Sequence, residues 1–397
     1  MHASDSLYDY LVRNLPSVHL SRLKSVFMAV DSLLKGGQLS LTALGRSAVT
    51  ATTPKHNIKR IDRLLGNDKL YNEIESFCRA MTKLIIKPRT APIILVDWTQ
   101  LGTTHCALVA SASHSGRSLV VYFDVQPLSM LSNREVETNF LKTLKHVLPI
   151  GVIPTIVTDS GYRNPWFKEV ERLGWHFVGR LSPPVVIYDG EGQEHYIADL
   201  ERGSKGGAKD WGECIITKTN PLTFRVIQAP PFERNPHRSP ERRPIKSVGR
   251  AANRVRVRCM QSWVLGTNHK ELTSAQILEI YASRMHIEEL FRDFKNHRFG
   301  WSLRTARTRS TCRYAIMILI ALLSYFIVMM VGISMEKAGE HLKLQSNSLK
   351  SRRVLSLFFL GKEAVRLGFY KFCYLRFAQI IELVRPGIYS VSKTGDT

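Results

Sequence analysis

Hydrophobic residues recur between residues 273 and 296 with the period of an α-helix. Ile280, Ile287, Leu290, Phe291 and Phe294 fall on one arc of the helical wheel, which predicts a buried stripe. Thr273 followed by Gln276 forms a capping box at the start, and the pattern stops before Gly300. A single helix over 273–296 is therefore expected. Glu279, His286, Glu289 and Asp293 lie on a second arc and read as solvated. A third stripe carries Tyr281, Arg284, Glu288 and Lys295, which at about 100° per residue share an arc of about 60°. It borders the apolar stripe, where polar groups lie in a crevice rather than in the open. Taken alone, this stripe has a commoner explanation, a surface helix with an i, i+4 ion pair between Arg284 and Glu288. Tyr281 and Lys295 on the same line fit that explanation poorly.

Residues 1–88 read as short amphipathic helices with Lys and Arg between them. There Lys55, Lys59 and Arg63 make a basic face at i, i+4 and i+8, suited equally to a phosphate backbone or to solvation. From Pro92 the pattern changes to strands at Ile93–Val96, Cys106–Ala110 and Ser118–Phe123, with a turn at Gly116. A helix over 134–148, a strand Ile153–Thr158, a helix over 165–173 and a strand His176–Arg180 follow, the order of a mixed α/β core. Residues 183–261, rich in Gly and Pro with short alternating runs such as Thr223–Ile227, read as an all-β insertion. The core is completed only when the Thr273 helix arrives. Ala315–Ser334 is uncharged, apolar and about the length of a bilayer span, with Arg304, Arg307, Arg309 and Arg313 before it. A helix buried on all sides inside a protein has the same pattern. Nothing else in the chain resembles a membrane protein, so a core helix is expected. The resulting segments are 1–88, 89–182, 183–261, 262–305 and a helical 306–397.

Charge narrows the partner. The 397 residues carry a formal net charge of +23, which favours a polyanion and above all nucleic acid. Within the insertion, Arg254, Arg256 and Arg258 alternate with Val255 and Val257, so one strand face is all guanidinium and suited to phosphate. The six cysteines are scattered without a Cys-x-x-Cys, which argues against structural zinc and a disulfide framework and fits a reducing cytosol. No signal peptide is evident at Met1–Asp5.

Asp97 and Asp159 each follow an apolar run and precede a polar one, which places them at strand ends beside the crevice of an α/β sheet. Either alone is more commonly a cap. With Glu288 they make three acids that one crevice can gather, and oxygen ligands of this kind suit Mg²⁺ or Mn²⁺. Two such ions about 4 Å apart serve an in-line displacement. Rival patterns are missing: Gly203-Ser204-Lys205-Gly206-Gly207 lacks the spacing of a P-loop, and no Gly-x-Ser-x-Gly or His-Glu-x-x-His occurs.

Over nearly its whole length the chain resembles the DDE transposases of the bacterial insertion-sequence-four family, in the branch of the element-ten transposon. The signature Tyr-x₂-Arg-x₃-Glu-x₆-Lys is matched by Tyr281, Arg284, Glu288 and Lys295; Val96-Asp97-Trp98-Thr99 and Thr158-Asp159-Ser160-Gly161-Tyr162 resemble its first and second acid motifs. Ser160 departs from relatives that carry Arg, so a phosphate contact there is not expected. The resemblance implies a ribonuclease H-like core interrupted by the β insertion, and cut-and-paste transposition through a hairpin on the excised end. Asp97, Asp159 and Glu288 would bind two divalent ions, with Tyr281, Arg284 and Lys295 on DNA phosphates. It also nominates Trp263 to stack on a flipped base and Met285 as the wedge filling its gap. The implied partners are double-stranded DNA, both terminal inverted repeats and target, and a second copy of the chain in a synaptic homodimer. The implied location is the bacterial cytoplasm at the nucleoid, with no membrane. A related nuclease that cuts without strand transfer, and a non-catalytic DNA-binding descendant, remain alternatives; the three intact acids count against the second.

Overall fold

Five helices open the chain: α1 Ala3–Asn14, α2 Leu20–Gly36, α3 Leu41–Ser47, α4 Pro54–Leu65 and α5 Asp68–Ile85. The computed structural model describes residues 3–201, 207–218, 220–230, 262–346, 349–368, 377–388 and 390–391. Local chemistry sets the helix starts. Ser40 caps α3, Pro54 opens α4 where its missing N–H costs nothing, and the Asn67 side chain accepts from the Leu70 amide at 2.9 Å to start α5. Two units result, Met1–Pro154 with Met285–Thr397, and Thr155–Arg284.

In the first unit, β1 Ile93–Leu101, β2 His105–His114 and β3 Arg117–Pro127 pair antiparallel in the order β3-β2-β1. Ser115 (φ 41°) and Gly116 (φ 80°) both take positive φ, as a two-residue hairpin turn demands. All ten residues of β2 are buried. α6 Arg134–Val147, capped by Asn133 on the amides of Glu135 and Val136, lays Phe140, Leu141 and Leu144 into the core.

These three strands run longer than the apolar runs that announce them, whereas the strand expected over Ile153–Thr158 begins only at Thr155. β1 continues through Trp98 and Thr99, both good strand residues, to Leu101, and Gly102 then turns the chain. Asp97 therefore sits within the strand, opposite Val109, and not at its end. Asp159 does follow the end of its strand.

The second unit begins with β4 Thr155–Thr158, crosses over through α7 Asn164–Arg172 and returns as β5 His176–Leu181, parallel to β4. After it come β6 Val186–Tyr188, β7 Glu194–Tyr196, the one-turn α8 Ile197–Leu200, β8 Lys209–Ile216, β9 Leu222–Gln228 and β10 Val264–Thr267. The order within this unit is β4-β5-β10-β9-β8-β6-β7, with each pairing after β5 antiparallel. The described part of 183–261 thus holds four strands and one helical turn. Arg254, Arg256 and Arg258 lie outside the described residues.

α9 Ser274–Ala282 closes the second unit and has the expected capping box, Thr273 on the Gln276 amide with Gln276 reaching back. The single helix expected over 273–296 is, however, interrupted. At Ser283 the hydroxyl bonds to the Ile280 carbonyl at 2.6 Å, and the Arg284 amide reaches Tyr281 at 3.0 Å, an i to i−3 bond. A serine side chain competing for helix carbonyls and a tightened turn end α9 there. Helical-wheel arithmetic accordingly holds within each half, not across it.

The first unit resumes with α10 Met285–Lys295, α11 Thr311–Lys337, α12 Leu357–Arg366 and α13 Phe377–Val384. α11 is the apolar segment; 94% of its most apolar window is buried inside the protein, so its outer face is covered by neighbouring helices and β3. It passes α12 at two glycines, Gly332 and Gly361, with backbone against backbone.

Candidate active site

The side chains singled out in the sequence fall into two groups, one in each unit. In the first unit, strand alternation puts Asp97 and Thr99 on the same side of β1. On α10, Glu288 and Lys295 are seven residues apart, two helical turns on one stripe. The Lys295 ammonium donates to Thr99 Oγ1 at 2.6 Å and stands 5.7 Å from the centre of the Phe291 ring. Burial pushes Lys295 down to about 8, and Arg304 pushes the same way, while Asp97 and Glu288 pull back. Both carboxylates are thus within electrostatic reach of one half-buried cation. Trp98 points away from Asp97, its indole N–H donating to Glu137 Oε1 at 3.1 Å on α6.

The flank of α10 expected to be solvated is packed instead. Asp293 is only 7% exposed and Glu289 is half-buried. Arg117 of β3 reaches both, and His286 Nδ1 shares a hydrogen bond with Ser113 Oγ at 2.8 Å. β2 and β3 cover this flank, and the buried charges there come in pairs, as burial requires. Arg292 pairs with Glu289 at 2.7 Å on the outer side.

In the second unit, Asp159 follows β4, and its Oδ1 accepts from the Gly161 amide at 2.8 Å. One oxygen thus also fulfils the turn-capping role. Tyr281 on α9 is 3% exposed. Burial raises its phenol pKa, Arg284 and Arg180 lower it, and Asp159 raises it, so these four groups lie together. Trp263, half-buried just before β10, meets the Tyr281 ring at 4.8 Å and 71°. Met285 is half exposed at the start of α10.

The predicted residues therefore form two sets, Asp97, Glu288 and Lys295 in one unit and Asp159, Tyr281, Arg284 and Trp263 in the other. Among the described residues no group of three or more His, Cys, Asp or Glu side chains stands ready to hold a metal ion. From the sequence, Thr99 stands only as the last residue of the first acid motif and Arg304 only in the basic flank of the apolar segment, and Arg180 has no role. Two-residue alternation after Asp97 would have found Thr99, whereas Arg180 and Arg304 have no local signal. The family described as transposase DDE domain matches residues 88–327, more than half of the chain, and the match includes Asp97, Asp159 and Glu288. No curated protein matches. By the extent of that match, carrying every acid of both sets, the chain belongs to the transposase DDE-domain family.

Proposed function

We propose that this transposase moves its element by cut-and-paste, as a member of the insertion-sequence-four family in the branch of the element-ten transposon. Its core is ribonuclease H-like, with residues 183–261 inserted, and residues 1–88 bind the terminal inverted repeats. The observation that carries the reading is the pair of carboxylates, Asp97 on β1 and Glu288 on α10, within reach of Lys295. Asp97, Glu288 and Asp159 supply only hard, anionic oxygen donors, a set that fits Mg²⁺ or Mn²⁺. When bound, two such ions supply activation of the attacking oxygen and stabilisation of the leaving one. The same donor set would serve nicking, hairpin formation, hairpin opening and strand transfer.

The remaining roles follow from what each side chain offers. Lys295, braced by Thr99, presents one ammonium to a phosphate beside the scissile bond. Arg284 presents a planar fork suited to bidentate phosphate contact, and the Tyr281 hydroxyl a further polar contact. The indole of Trp263 offers a stacking face for a flipped base, and the exposed, unbranched Met285 fits the gap that base leaves. The insertion arginines 254, 256 and 258 bind the DNA backbone, and cutting two ends in one synapse calls for a homodimer. The net charge of +23 suits a cytoplasmic protein held at the nucleoid.

Incubating the protein with Mg²⁺, a duplex from the DNA bordering its coding sequence and a supercoiled target plasmid tests the reading. Joined end–plasmid products that chelator abolishes are expected. Nicks without joining would assign the chain to nucleases that cut without strand transfer, and no metal-dependent cleavage would refute catalysis altogether.

A further inference from the structure

The flank of α10 away from Glu288 and Lys295 is bonded to β3 and α11. Asp293 is five residues beyond Glu288, about 140° further round. Its Oδ2 accepts from Arg117 Nε of β3 at 2.9 Å and from the Tyr325 hydroxyl of α11 at 3.5 Å. Arg117 Nη1 also stands 3.5 Å from Glu289 Oε2. Nearer the helix start, Ser118 Oγ donates to the His286 carbonyl at 3.3 Å. Beyond the helix, the Trp301 amide returns to the Asp293 carbonyl at 2.9 Å, and Lys362 of α12 donates to the carbonyls of Phe299 and Gly300 at 3.1 and 3.0 Å.

A buried ion pair is a poor source of net stability, because desolvation offsets most of the attraction. An apolar flank would hold α10 on the sheet at lower cost. What the pair adds is direction, since a planar guanidinium bonds carboxylates in a restricted set of orientations and Arg117 spans two, Asp293 and Glu289. With side chains a helix has a radius of about 5–6 Å, so rotation by about 10° moves a side-chain tip by about 1 Å. A displacement of about 1 Å at a reacting group costs roughly 100-fold in rate.

We propose that Asp293 and Arg117 are positioning residues for DNA cleavage: their ion pair sets the rotation of α10, so that Glu288 and Lys295 face Asp97 and Thr99 of β1. The inference rests on the reading of Glu288 as catalytic. The other titratable or charged groups around Asp293 are Glu289 and Arg292 of α10, Tyr325 of α11 and Lys362 of α12, with His286 facing Arg117 and Glu289. Burial pushes Asp293 up to about 6 against the pull of Arg117. As pH falls through 6 the carboxyl takes a proton and the ion pair is lost. A raised carboxyl pKa means the folded state binds that proton more readily than the unfolded chain, so this protonation favours folding. Positioning and stability therefore move in opposite directions below pH 6.

The test measures Mg²⁺-dependent cleavage of an end duplex, end binding by gel shift and the thermal midpoint. Asp293→Asn and Arg117→Gln are each expected to slow cleavage by roughly 30- to 100-fold while binding stays within about threefold. The double variant should cleave no more slowly than the worse single one, because the two residues act as one pair. Arg117→Lys keeps the charge but not the planar fork that reaches Asp293 and Glu289 together, so it should cleave nearly as slowly as Arg117→Gln. Wild-type cleavage by Asp293→Asn beside an inactive Glu288→Gln overturns this proposal alone, whereas normal cleavage by Glu288→Gln overturns the reading beneath it. Cleavage losses that merely track falling thermal midpoints also overturn the proposal. If the single variants do not fold, the wild-type pH profile decides. A loss centred near pH 6 without a fall in the midpoint supports the pair, and flat activity from pH 7 to 5 overturns it.

Discussion

Glu288→Gln is expected to slow strand cleavage by at least about 10³-fold, about 4 kcal/mol of barrier, while end binding is retained. The carboxamide keeps the size and shape of the side chain, so α10 keeps its packing through Ile287, Leu290 and Phe291. What changes is charge. A neutral amide is a poor ligand for a divalent cation, and in this reading Glu288 has a partner carboxylate, Asp97, but no spare acid on its stripe. Binding should not suffer, because removing a negative charge from a protein of net charge +23 cannot weaken its attraction to a polyanion. Glu288 also helps to hold the proton on Lys295, so its loss leaves burial and Arg304 to lower that pKa further. The contact of Lys295 with phosphate should therefore weaken at alkaline pH in the variant before it does in the wild type. Gel shifts and denaturing gels on one end duplex separate the two effects. Cleavage within tenfold of the wild-type rate would remove Glu288 from the chemistry.

The parts of this fold legible in sequence are those written in short-range patterns. The capping box at Thr273, the hairpin at Gly116 and the buried segment around Ala315 each follow from a few adjacent residues, and the structure has all three. Long-range packing is less legible. Asp293 looks solvated on a helical wheel because a wheel shows polarity and not neighbours; Arg117, 176 positions away, makes it a buried partner. The break at Ser283 is invisible for the opposite reason, since a single hydroxyl competing for a carbonyl leaves hydrophobic periodicity intact. The apolar run stops before Asp97 and so suggests a strand end, yet Trp98 and Thr99 carry the strand onward by backbone pairing, where side-chain polarity says little. The same extension brings Thr99 to Lys295, a contact that an apolar run ending at Val96 does not announce.

Gly361→Ala should lower stability by about 2–3 kcal/mol, although alanine is the better helix former by about 1 kcal/mol. A Cβ at Gly361 would fall onto the Val328 carbonyl of α11, and one at Gly332 onto the Leu357 carbonyl of α12. These obstacles are backbone, so no side-chain rotation relieves them; the helices must separate, loosening Val331, Met335, Leu360 and Ala364 between them. The thermal midpoint should fall by about 5 °C or more, while Gly190→Ala, whose Cβ meets nothing, should leave it unchanged. A midpoint at or above wild type for Gly361→Ala would mean that the helices are not in contact there. The separation also pulls at α10, because Tyr325 on α11 stacks on Phe358 of α12 at 5.2 Å and hydrogen-bonds to Asp293, while Lys362 of α12 holds the turn after Lys295. Gly361→Ala should therefore lose cleavage and stability together, whereas Asp293→Asn should lose cleavage with its midpoint little changed. That contrast distinguishes a residue that supports the helix bearing Glu288 from one that aims it.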